Sequence, residues 1–130
     1  LDFGEGLMAY IWAHHGTGYG MVSTSALTRL EHMTKVFFAN VYLMGHQSKK
    51  GASCLPWIAQ NGGQLTGGSR YTVATGSFAE GYEGGSVDAW GNPIGKYPEG
   101  KMLVPVALGA PLLMFRPMFD EGRVDINVMV

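Results

Sequence analysis

The chain has a single cysteine, Cys54, among 130 residues. One thiol excludes an intrachain disulfide and any zinc site built from several cysteines, and leaves a small buried residue as its plainest role. Charge is also scarce: Asp, Glu, Lys and Arg make up 15% of the chain, against about 25% in an average soluble domain. The net charge is -1, which gives no steering toward nucleic acid or an anionic membrane. The basic residues Lys49, Lys50, Arg70, Lys96 and Lys101 are scattered rather than clustered, so no nucleic-acid groove is evident. No run of about 18 apolar residues occurs, and no membrane span is expected. There is no visible signal peptide and no internal repeat. The chain begins at Leu1 rather than at methionine, as fits proteolytic trimming or a domain cut from something longer.

Catalytic and cofactor signatures are missing too. HGTGYG (His15 to Gly20) offers bare amides before a helix. It lacks the lysine and serine of a P-loop, and its glycines do not sit between a strand and a helix as a dinucleotide site requires. Ser53 and Cys54 carry no nucleophile elbow, and no spacing signature pairs Cys54 with His46. His14, His15, His32 and His46 are the acid-base or metal candidates, but neighbouring histidines on a helix diverge by about 100° and His32 has no ligand one turn away. Glu80, Glu83, Asp88 and Asn92 crowd a glycine-rich turn without a calcium-loop spacing. No catalytic residue, cofactor or metal is therefore assigned.

What is present is apolar and small. Hydrophobic residues reach 46%, with 20 glycines and eight methionines. The length suits one domain with a core. Ser23 to Gly45 predicts one long amphipathic helix, about 24–44, opened by a Ser/Thr cap and closed by glycine. Leu27, Leu30, Met33, Phe37, Phe38, Val41 and Met44 fall within an arc of roughly 140° on such a helix. The β-branched and aromatic run Val36 to Met44 is the place where a strand competes. Leu7 to Trp12 predicts a shorter helix ending at His14 or His15, and Met21 and Val22 a short strand. Residues 46–68 predict a long loop pinned by Leu55, Trp57 and Ile58, of the kind that is functional or ordered by a partner.

From Ser69 the period changes to two. Arg70 to Thr75, Phe78 to Tyr82, Val87 to Trp90, Met102 to Leu108, Leu112 to Arg116 and Arg123 to Val130 predict strands, joined by turns at Glu83 to Ser86 and Gly91 to Pro93. Pro105 limits the Met102 to Leu108 strand to an edge or a bulge. The expected architecture is α+β: a single domain, 1–130, with a helical part at 1–45, a loop at 46–68 and a β-rich antiparallel part at 69–130. Turn signals favour hairpins over crossovers.

Val36 and Leu43 fall opposite the main stripe of the expected helix, and an apolar second side needs a second partner. The expected function is a self-assembling structural subunit, in a virus-coat-like shell or a filament, whose partners are copies of itself. Val36, Leu43, Leu55, Trp57 and Ile58 are its expected interface, and a virion or extracellular assembly is its expected place. Two other readings stand beside it. One is a small-molecule-binding or enzymatic domain with histidine or carboxylate chemistry between helix and sheet. The other is an accessory domain of a larger complex whose partner covers Val36 and Leu43.

Overall fold

The structure, a computed structural model, describes residues 1–16, 24–46, 49–77, 87, 89–92 and 108–130. The expected strands Met21 to Val22 and Phe78 to Tyr82, the turn at Glu83 to Ser86, and nearly all of Met102 to Leu108 lie outside the described residues. In chain order the elements are β1 (Ile11–His14), α1 (Thr24–Met33), β2 (Val41–Met44), β3 (Lys50–Asn61), β4 (Gln64–Thr75), β5 (Leu112–Met118) and β6 (Arg123–Met129). A single 3-10 turn, Phe119–Glu121, joins the last two. A four-stranded sheet has the order β1-β2-β4-β3, and β5 and β6 form a two-stranded ribbon.

This corrects the expected architecture of N-terminal helices, one spanning about 24–44, packed on a C-terminal antiparallel sheet. The described chain is mostly strand, with one short α-helix. The N-terminal segment read as a helix supplies β1 instead. The long helix stops at Met33. Thr34 still donates to the Leu30 carbonyl, at 3.2 Å, but Lys35 and Val36 already reach only three residues back, to His32 and Met33. Such tightening is how a helix end uses its last carbonyls. Residues 34–40 then reverse the chain, and Val41–Met44 becomes a central strand.

The reason lies in Tyr42, whose side chain is fully buried. Its hydroxyl donates to the Phe37 carbonyl at 2.6 Å and accepts the Ala39 amide at 2.8 Å. One phenol thus satisfies two backbone groups of the reversal that follows the helix. Asn40 completes the reversal by tying the starts of β1 and β2 to the middle of β4. Its amide donates to the Tyr10 carbonyl and its Oδ1 accepts the Tyr10 amide, both at 2.8 Å. Its own carbonyl accepts the Tyr71 amide at 2.9 Å.

β2 therefore runs parallel to β1 on one side and to β4 on the other. The expected preference for hairpins over crossovers fails here, because β1, α1 and β2 form a parallel crossover unit. The helix lays Ala26 and Leu30 on Tyr42, Met44 and Ala74, with Trp12, Leu27, Met33 and Phe37 around them. Of the expected helical stripe, Leu27, Leu30 and Met33 do face this core from α1. Thr72 sits in the same buried layer, and its Oγ1 has no hydrogen-bond partner.

The expected loop at 46–68 is also corrected. Lys50–Asn61 and Gln64–Thr75 pair antiparallel along their whole length. Gly62 and Gly63 form the two-residue turn, with φ of 56° and 80°. That left-handed pair is what a tight hairpin needs and what glycine adopts without strain. The strands expected at Arg70 to Thr75, Leu112 to Arg116 and Arg123 to Val130 are present.

Two stability changes follow. Thr72→Val keeps the shape and removes the buried unsatisfied hydroxyl, and is expected to raise unfolding free energy by about 1 kcal/mol. Asn40→Ala removes the side-chain half of the clasp to Tyr10, leaving that amide without its partner, and is expected to lower it by about 1 kcal/mol. Urea denaturation of the purified variants measures both.

A projecting uncharged arm and the cleft at its root

β4 pairs with β2 only over Tyr71–Ala74. Beyond that point Leu55–Asn61 and Gln64–Arg70 continue as a two-stranded arm, reaching roughly 20 Å past the sheet at the usual rise per residue. Its outer part is open to solvent: Ile58 is 76% exposed and Leu65 79%. Side-chain alternation puts Pro56, Ile58 and Leu65 on one face, together with Gln60, Gly67 and Ser69.

Between Lys50 and Arg70 the sequence contains no charged residue and no histidine. Solvent-exposed strands in monomeric proteins are usually blunted by lysine, inward-pointing charge or proline. Here Pro56 is the single such device in the arm. Two strands alone are at best marginally stable in water, so the arm depends on its root. There Arg70 lies over the ring of Phe38, 4.8 Å from its centroid, and over that of Trp57, at 5.5 Å. Phe38 and Trp57 meet edge to face, and Arg70 donates to the Thr34 carbonyl at 2.8 Å. A cation between two aromatic faces, bonded to a carbonyl just past the helix end, joins three segments at one point. Glycine matters beside it: a Cβ at Gly68 would lie 3.2 Å from the Trp57 indole nitrogen.

A cleft of about 690 Å³ opens at the arm's root. Leu7 and Tyr10 line it from the N-terminal segment, Tyr71 from β4, and Arg123, Asp125 and Ile126 from β6. Arg123 pairs with both Glu121 and Asp125, and these carboxylates hold its guanidinium charged. Such exposed pairs contribute little to stability. Tyr71 stands opposite Cys54 across the β3–β4 ladder. Burial pushes the Tyr71 phenol above its ordinary range, the Cys54 thiol opposite adds to the rise, Ser69 opposes it by a hydrogen bond, and the charge of Asp125 adds a smaller push.

The expected interface residues are not brought together as one patch. Val36 is 72% exposed, in the turn after α1. Leu43 is half-buried in β2, between β1 and β4. With the helix ended at Met33, these two never share a helical side. Leu55, Trp57 and Ile58 all lie on β3: Leu55 sits opposite Arg70, Trp57 packs against Phe38 and Arg70, and Ile58 faces outward. Leu65, Tyr71, Arg70 and Asp125 were missed by sequence reasoning. The Asn61-Gly62-Gly63 turn was the signal that could have found the arm.

Cys54 is exposed rather than buried. Of the histidines, His15 and His46 come together, with ring centroids 4.7 Å apart. His14 stacks on Trp12 and its Nδ1 accepts the Gly16 amide. His32 stays on the last turn of α1. Glu80, Glu83, Asp88, Lys96 and Lys101 lie outside the described residues. No helix of the described residues is long and apolar enough to cross a membrane.

The raised Tyr71 value has a pH consequence with a fixed sign. The fold holds the phenol protonated, so this contribution to stability is intact below the ordinary tyrosine value near 10 and is lost as pH rises through the folded value. Tyr71→Phe is expected to show a shallower alkaline loss than wild type when urea midpoints are compared across that range.

No protein-family model matches this chain, and neither the curated proteins nor the solved structures compared with it contain a match.

Proposed function

We propose that this protein is a self-assembling structural subunit, of a shell or filament, and that the β3–β4 arm is the element it offers to a second copy. The observation that carries this reading is an exposed two-stranded arm whose sequence from Gly51 to Ser69 holds no charge. Water-exposed strand edges and the side chains of Ile58 and Leu65 both gain from a partner. Full burial of such a side chain contributes about 1.5–3 kcal/mol, and open edges accept main-chain hydrogen bonds from an added strand. The low overall charge works in the same direction, since little repulsion opposes contact between copies. A shell or filament subunit needs such a reach, because an arm anchored in one copy can be buried by the next.

A second reading is favoured by one observation, the convergence of His15 and His46 at one end of the sheet. A binding or catalytic domain would use such a pair together with a cleft. The 690 Å³ cleft, however, is lined by Tyr71, Arg123 and Asp125 and by neither histidine.

Light scattering on the purified chain over a range of concentration and salt tests the assembly reading. The expected result is a species much larger than one chain. The double variant Ile58→Asp/Leu65→Asp is expected to remain folded by circular dichroism and to run as a monomer. Because Leu43 lies in an inner strand, Leu43→Asp is expected to unfold the chain rather than release a folded monomer. A wild-type monomer at every concentration, or a double variant that assembles like wild type, overturns the proposal.

A further inference from the structure

We infer that His15 and His46 form a binding site for one divalent transition-metal ion of imidazole preference, with water completing its coordination. The two residues follow the ends of β1 and β2, neighbouring parallel strands separated in sequence by α1. The carboxyl ends of parallel strands are where open sheets with crossover helices collect ligands.

The spacing suits coordination. An imidazole nitrogen binds zinc at about 2.0–2.1 Å, which puts two neighbouring ligand rings roughly 4.5–5.2 Å apart between centroids. His15 and His46 are 4.7 Å apart, with ring planes at 59°. Both side chains are exposed, so neither has to shed a buried contact to turn its nitrogens toward an ion.

The backbone beneath them is held. Gly45 donates to the His14 carbonyl at 3.0 Å. Gly16 has φ of 85°, and a Cβ there would lie 2.5 Å from the Gly45 carbonyl oxygen. The two loops can approach this closely because that position has no side chain. His46 itself has φ of 53°, a left-handed conformation that costs energy for a residue with a Cβ. Such strain concentrates at functional positions. His14 cannot join through Nδ1, which already accepts the Gly16 amide at 2.8 Å. Its role is to fix the turn that presents His15.

Among the described residues no group of three or more His, Cys, Asp and Glu side chains surrounds a common point. Two protein ligands leave the remaining positions open to solvent, so the ion would exchange readily and be selected by imidazole affinity, with nickel and copper above cobalt. This inference stands on the histidine geometry and does not depend on the assembly reading.

Isothermal titration of the purified full chain with Ni²⁺ alone, and with Zn²⁺ alone, tests it. The expected result is one equivalent bound, at least tenfold more weakly by His15→Ala and by His46→Asn. Asparagine is used at position 46 because it tolerates the left-handed backbone. His32→Ala is expected to bind as wild type does. Circular dichroism of each variant confirms that the sheet is intact, and Gly16→Ala, which displaces the His15 loop and leaves both rings present, is expected to weaken binding as well. Unchanged binding by His15→Ala and His46→Asn, or no binding by the wild type up to millimolar ion, overturns the inference.

Discussion

The short strand β2 is the constraint on which the rest depends. Among the described residues it is the one strand paired in parallel on both sides, and it is held in place from its own N-terminal end. Asn40 binds Tyr10 and Tyr71 through three hydrogen bonds, and Tyr42 turns its hydroxyl back onto the reversal that precedes it. A buried phenol that satisfies two backbone groups removes a penalty of about 1–3 kcal/mol for each group otherwise left unpaired. Without this reversal the run Val36–Met44 has no reason to leave the helix. β1 would then lose its neighbour in the sheet order, and β4 its inner side.

The parallel alignment of β1, β2 and β4 gives the sheet two chemically different ends. At their amino ends lie Tyr10, Asn40, Tyr71 and the cleft, and from there β4 leads back into the arm. The carboxyl ends carry His14, His15, Met44 and His46. An ion held by the histidines would therefore sit at the end of the sheet opposite the arm, and occupancy of one surface leaves the other accessible. The arm's rigidity is borrowed from the same sheet. β4 passes from the buried positions Thr72, Val73 and Ala74 through Arg70 into open solvent, and the contacts of Arg70 with Phe38, Trp57 and Thr34 mark the point where support ends.

Some of this was legible in the residues. Leu112–Arg116 and Arg123–Val130 read as strands because each has a more buried and a more exposed side, and alternation is written into such segments; Arg70–Thr75 is legible from its β-branched and aromatic residues, although Thr72, Val73 and Ala74 are buried on both faces. α1 was also legible from the Leu27, Leu30, Met33 spacing. Its end was not, since Val36–Met44 satisfies the helical stripe and the strand propensity together. The arm was misread for the opposite reason. Ala59, Gln60, Asn61 and Gln64–Ser69 are exposed on both faces, so no apolar alternation develops, and a glycine-rich uncharged run resembles a loop.

By itself, the sequence determined the apolar face of α1, the tight glycine turn at Gly62–Gly63, the period-two strands near the C-terminus and the lack of charge along the arm. These are local properties, set by backbone preference and by the residue types within a few positions. The tertiary structure alone decided that β2 lies between β1 and β4, and that His15 meets His46. Each of those outcomes needs partners far apart in the chain: the strands on either side of Tyr42, or two loops close enough to require a glycine between them. No window of sequence contains both members of such a contact, so its energy enters only when the chain has closed on itself.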